Sequence, residues 1–103
     1  MDHLIRIIFI LLIDNLPNHI TDLHFYDKYN QPIDNLPNSI KNIYLGAEFN
    51  KPLDFLPQGI EKIIITNNNY HYDLMNLPKT VNYLKVKKSF TGKTNIKCIY
   101  YDD

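Results

Sequence analysis

Apolar positions along this chain recur at intervals of 20, 20 and 21 residues. Counted from a Leu-Pro dipeptide, the first frame is Leu16-Pro17-x-x-Ile20-x-x-Leu23-x-Phe25 and the second Leu36-Pro37-x-x-Ile40-x-x-Ile43-x-Leu45. The third is Leu56-Pro57-x-x-Ile60-x-x-Ile63-x-Ile65 and the fourth Leu77-Pro78-x-x-Val81-x-x-Leu84-x-Val86. An aromatic follows each frame (Tyr29, Phe49, Tyr70, Phe90), and then an apolar residue at Ile33, Leu53 and Leu74 stands three positions before the next Leu-Pro. Four copies of one frame mark a repeat protein. Phe9 and Ile13 precede Leu16 as Tyr29 and Ile33 precede Leu36, so the N-terminal stretch reads as a partial coil. Ile96-Lys97-Cys98-Ile99-Tyr100-Tyr101 repeats the late part of the frame without its Leu-Pro and reads as a shortened last coil, with Ile99 in the place of Leu84.

The last two apolar positions of each frame alternate with a period of 2, the signature of a strand with one buried face. Ile60 to Thr66 is the strongest strand candidate. Pro17, Pro37, Pro57 and Pro78 lie just before these strands, where a fixed φ and a missing N–H suit a corner. Pro32 and Pro52 mark the return side. A unit of this length holds one short strand and one turn-rich return, so consecutive strands must run parallel. The expected fold is mainly β, a short solenoid with a parallel sheet and irregular or short helical return segments. About five coils at the usual strand spacing give a length on the order of 25 Å. The 103 residues divide into a partial coil at 1–13, repeats at 14–33, 34–53 and 54–74, a degenerate repeat at 75–95 and an incomplete coil at 96–103.

The frame Ile-x-x-Leu-x-Leu resembles the core of a leucine-rich repeat. Tyr29-Asn30-Gln31-Pro32-Ile33 and Phe49-Asn50-Lys51-Pro52-Leu53, each followed by Leu-Pro, are more specifically similar to the FNIP repeat, named for a Phe-Asn-Ile-Pro stretch. That family is leucine-rich-repeat-like and expanded in amoebae and in large viruses that infect them. The resemblance spans roughly Phe9 to Val86. The third unit departs from it with His71-Tyr72-Asp73, and the fourth with Thr91-Gly92-Lys93. Where a leucine-rich repeat places its asparagine, this chain has Lys28, Glu48 and Asn68, so Asn30 and Asn50 are expected to bond neighbouring backbone in the turn instead. The resemblance implies protein–protein contacts. Some members carry an F-box before the repeats, for which the dozen or so residues ahead of the first full unit leave no room.

Eleven basic and eleven acidic side chains cancel, which argues against bulk attraction to nucleic acid or membrane. Their distribution is uneven. Asp2, Asp14, Asp22, Asp27 and Asp34 dominate the first third, while Lys79, Lys85, Lys87, Lys88, Lys93 and Lys97 dominate the last quarter. This polarity reads either as solvated edges of drifting repeats or as a basis for head-to-tail association or an acidic partner. Cys98, the sole cysteine, excludes an internal disulfide and suits a reducing compartment, the cytoplasm, or the host cytoplasm were the chain virally encoded. Alternation places it on the outer face of the last strand. The apolar run Leu4 to Ile13 reads as a core-forming coil or as a signal or anchor. Its length, Arg6 and the missing small-residue cleavage site favour the coil.

No catalytic constellation emerges. His3, His19, His24 and His71 lack ligand spacing, and Asp22 between two of them supplies too few converging donors for a metal. Gly92-Lys93-Thr94 imitates the end of a phosphate loop, but Lys87 stands where the earlier glycine is required. Ser39 and Ser89 have no acid–base partners in the pattern. The sequence points to no enzyme and no cofactor. What remains is the outward face of the sheet. Its central column reads His24, Tyr44, Ile64, Lys85 and Tyr100, flanked by Asp22, Asn42, Lys62, Tyr83 and Cys98. An apolar strip with polar rims is the kind of surface that marks a contact site, though strand propensity alone also places such residues on sheets. A non-catalytic module binding a protein partner through this face is the leading expectation, with neither nucleic acid nor membrane as partner. Self-association through uncapped ends is a further expectation. A truncated or degenerate family member with little independent function is the alternative.

Overall fold

A computed structural model describes residues 4–7 and 16–101. Six strands, β1 (Leu4–Ile7), β2 (Asp22–Phe25), β3 (Asn42–Leu45), β4 (Lys62–Ile65), β5 (Tyr83–Lys87) and β6 (Ile99–Tyr101), form one sheet in sequence order. Every neighbouring pair is parallel. Among the described residues there is no helix, and the return segments are turns and irregular chain. The solenoid expected from the period is therefore present. Its coil count differs from the expected five, because β2 to β5 enclose about three regular turns, with β1 and β6 flanking them.

Each regular turn closes through two tight backbone bends. Before the strand, the N–H of Ile40 donates to the carbonyl of Pro37, and that of Val81 to Pro78. The proline pre-sets φ for the bend, as the Leu-Pro position implies. After the strand, Tyr29 donates to Tyr26, Phe49 to Gly46, Tyr70 to Asn67 and Phe90 to Lys87, which swings each aromatic into the interior. Coils are tied at the strand entrance by a repeated device in which one carbonyl accepts two N–H groups. Thr21 accepts from Lys41 and Asn42, Lys41 from Glu61 and Lys62, and Glu61 from Asn82 and Tyr83. The extra residue of the third unit is absorbed just past β4. There the Thr66 hydroxyl donates to the Leu45 carbonyl at 2.9 Å and the Asn67 amide to the Phe49 carbonyl at 3.0 Å, so the aromatic position re-enters register at Tyr70.

The interior is the frame stacked on itself. Leu23, Ile43, Ile63 and Leu84 form one buried column and Phe25, Leu45, Ile65 and Val86 another. Burying each such side chain stabilises by roughly 1.5–3 kcal/mol. An aromatic stack lines the opposite wall, with Phe49 and Tyr70 nearly parallel at 6.3 Å and Phe90 6.2 Å beyond Tyr70. No buried polar or charged residue interrupts this core among the described residues. Asparagines act on its rim instead. The Asn30 side-chain oxygen accepts the Asn50 N–H at 2.8 Å, the backbone role expected of it, whereas the Asn50 oxygen has no such partner; Asp73 does for Lys93 what Asn30 does for Asn50.

The C-terminal end revises an expectation. At the N-terminal end, residues 4–7 form a strand paired with β2, while Phe9 and Ile13, on which the partial-coil reading rested, lie outside the described residues. At the other end, β6 pairs with β5 as Lys85↔Ile99, Val86↔Tyr100 and Lys87↔Tyr101. The frame had aligned Ile99 with Leu84, one residue out. A slip of one residue moves every side chain to the other face of a strand. Cys98 and Tyr100 therefore fall on the inward alternation, where Cys98 packs against the core cluster while Tyr100, at the edge of the sheet, stays 51% exposed. Burial raises the Cys98 thiol above its ordinary value, partly offset by a hydrogen bond with Tyr100.

Candidate functional site: the outward face of the sheet

Alternation along 4–5-residue strands leaves every second side chain outside, and parallel register aligns them across coils. Four of the five residues expected in the central column stand together, since His24 pairs with Tyr44, Tyr44 with Ile64 and Ile64 with Lys85. Tyr100 does not join them. Its place next to Lys85 is taken by Ile99, 43% exposed, for the register reason given above. The flanking column Asp22, Asn42, Lys62 and Tyr83 is also aligned, but Cys98 is absent from it. Asn42 donates its side-chain amide to the Asp22 carboxylate at 2.5 Å, which fixes the acidic end of that column.

Rings and ammonium groups organise the rest. The His24 and Tyr44 rings lie 5.3 Å apart, tilted by 30°. The Lys62 ammonium sits 4.8 Å from the centre of the Tyr83 ring. Lys85 and Lys87 both reach the Tyr101 ring, at 4.2 and 4.9 Å. Such contacts stabilise by roughly 0.5–1 kcal/mol where exposed. Burial pushes the Tyr101 phenol above its ordinary value, with further upward pushes from Tyr44 and Tyr83 across the face. An open depression of about 250 Å³ lies over β2 to β4, lined by Asp22, His24, Asn42, Tyr44, Lys62 and Ile64. Tyr101 and Lys87 were missed by the sequence reading. The alternation of β5 already places Lys87 outward beyond Lys85, whereas only the true register of β6 brings Tyr101 onto this face.

Other candidate chemistry finds no site. Among the described residues, no group of three or more His, Cys, Asp or Glu side chains converges where a metal would be held. Gly92-Lys93-Thr94 is a rung of the return side, with Lys93 tied to Asp73 and Thr94 bridged to Leu74. The Ser39 hydroxyl is buried without a hydrogen-bond partner. No helix of the described residues is long and apolar enough to cross a membrane.

No curated protein matches the chain. The family model of the FNIP repeat matches residues 10–46 and 29–68, which together cover more than half of it. Those matches take in β2, β3 and β4 with the Leu-Pro turns between them, the units in which the period is most regular. By its repeats, its turns and its parallel sheet, this chain belongs to the FNIP repeat family.

Proposed function

We propose that the chain is a non-catalytic interaction module that binds another protein through the outward face of β2 to β5, around Tyr44, Ile64 and Lys85. The observation that carries this reading is the aligned column His24, Tyr44, Ile64 and Lys85 beside an open depression, on a sheet whose other face is fully committed to the core. Membership of a repeat family favours a module over an enzyme. A face that mixes rings, one aliphatic side chain and fixed ammonium groups matches the composition of contact surfaces. The single cysteine suits work in a reducing compartment such as the cytoplasm.

The test is capture of partners by the wild-type chain and by a Tyr44→Ala/Ile64→Ala/Lys85→Ala variant, both shown to be folded by circular dichroism. Loss of partners by the variant supports the face. Identical partner sets for both chains count against it.

A further inference from the structure

We propose that the partner presents an extended acidic segment, which lies across β4, β5 and β6 and seats one bulky apolar side chain in the depression beside Tyr44 and Ile64. This rests on the reading of the outward face as the binding surface and adds the chemistry of what it takes.

Charge supplies the first argument. Lys62 and Lys85 stand on the outward side of β4 and β5 among Ile64, Tyr83 and Tyr101, and no outward position of β4 to β6 carries a carboxylate. Among the described outward side chains the one carboxylate, Asp22, lines the far side of the depression and is engaged by Asn42. The β4–β5 half therefore attracts carboxylates.

Preorganisation is the second. The Lys62 and Lys85 ammonium groups rest over tyrosine rings instead of sweeping through solvent. Less side-chain freedom is then lost when an anionic group arrives. The depression of about 250 Å³ adjoins Lys62 and offers a ring wall at Tyr44 and an aliphatic wall at Ile64. A buried anchor next to charged contacts is how short segments gain both affinity and register.

Area is the third. Strands of this length cover roughly 13–17 Å, and the six of them span roughly 25 Å, so the flat extent of the sheet face is about 400 Å². A stable complex between folded proteins buries about 800 Å² on each partner. The face alone is thus too small to hold a second copy of the chain, and suits a segment of a few residues. Nucleic acid would also be drawn to lysines, but the chain's formal net charge is zero and the face is interrupted by Ile64 and Ile99, so the phosphate-dominated mode is disfavoured.

The experiment is a titration of the full chain, ¹⁵N-labelled, with three probes. They are a short peptide of alternating Glu and Leu with a central Trp, the same peptide with Lys in place of Glu, and a single-stranded oligothymidylate. The acidic peptide is expected to bind, with shifts confined to outward residues of β3 to β6. Lys62→Gln/Lys85→Gln is expected to weaken it about tenfold or more, and replacing the peptide's Trp by Ala to weaken it further. Equal binding of the basic peptide overturns the proposal, as does equal or tighter binding of the oligothymidylate, or an acidic peptide indifferent to the lysine substitutions. If the acidic peptide fails while the triple alanine variant still loses captured partners, the face stands and the acidic segment falls. If the peptide's shifts map to the return side, both fall.

Discussion

At Gly46 the distance between coils leaves no room for even one more carbon. A Cβ built there lies 2.7 Å from both the Asp27 Cα and the Tyr26 carbonyl oxygen, backbone atoms that cannot rotate away. Gly46→Ala is therefore expected to cost about 1–3 kcal/mol, the usual range for overpacking, read as a lower urea midpoint. Asn30 and Asn50 occupy equivalent positions but differ in what they do. Asn30 satisfies the Asn50 N–H, whereas the Asn50 side-chain oxygen is buried and has no partner. Asn30→Ala should thus destabilise by about 1–3 kcal/mol through the orphaned N–H. Asn50→Ala should cost less than half as much in the same assay. Tyr70 carries the pH dependence. Burial, chiefly, pushes its phenol well above the ordinary value of 10.0, with smaller pushes from Asp54 and Tyr72, and its hydroxyl donates to the Lys51 carbonyl at 2.8 Å. The unfolded chain releases this proton near pH 10 and the folded chain does not, so the stabilisation is complete below pH 10 and declines as pH rises beyond it. Urea midpoints measured from neutral pH into the alkaline range should fall above pH 10, and less steeply for Tyr70→Phe, which also loses about 0.5–1.5 kcal/mol with its hydrogen bond.

Among the elements, β6 is where pattern and structure part. The sequence Ile96 to Tyr101 fits the frame well when Ile99 is aligned with Leu84, yet the strand pairs one residue away. The return from Phe90 is too short to follow the path used by earlier coils. It is pinned instead by Lys93 donating to Asp73, by Leu74 donating to the Lys93 carbonyl and by Thr94 accepting from the Ile96 N–H. Where the chain enters the sheet decides which alternation faces inward, and a local apolar frame does not encode that entry point. The consequence is measurable. Leu84, 0% exposed, should cost about 2–5 kcal/mol on replacement by alanine. Ile99→Ala should fall within about 0.5 kcal/mol of wild type, as for an exposed side chain. Comparable losses at both positions would restore the register that the frame implied. The turn after β4 shows the opposite case, in which an inserted residue is absorbed locally by Thr66 and Asn67, so β5 keeps the faces that the frame assigned.

At the scale of the whole molecule, each coil touches only its neighbours, because strand pairing runs strictly in sequence order. Stability in such a stack is roughly a sum of coil and interface contributions, and interior coils have two interfaces where outer ones have fewer. Amide hydrogen exchange should accordingly be slowest in β3 and β4 and faster in β6, a gradient read by mass spectrometry on peptides from each strand. Uniform protection across β2 to β6 would mean instead that the stack opens as one cooperative unit. The same one-dimensional build explains the functional face, since a column continuous across coils requires only that register be kept from one strand to the next.

Much of this was legible in the chain, and the limit is specific. The four Leu-Pro frames determined, by themselves, that Leu23, Ile43, Ile63 and Leu84 share one dry interior, that the strands run parallel, and that His24, Tyr44, Ile64 and Lys85 stand in line outside, because period-2 alternation repeats at the same offset from each Leu-Pro even where the third unit is one residue longer. Tertiary structure alone decided the placement of Tyr100, Tyr101 and Cys98, the pairing of Lys85 and Lys87 with one ring, and the depression beside Tyr44. These depend on where a shortened return meets the sheet and on how far long side chains lean across it, quantities set by packing in three dimensions and absent from any local pattern.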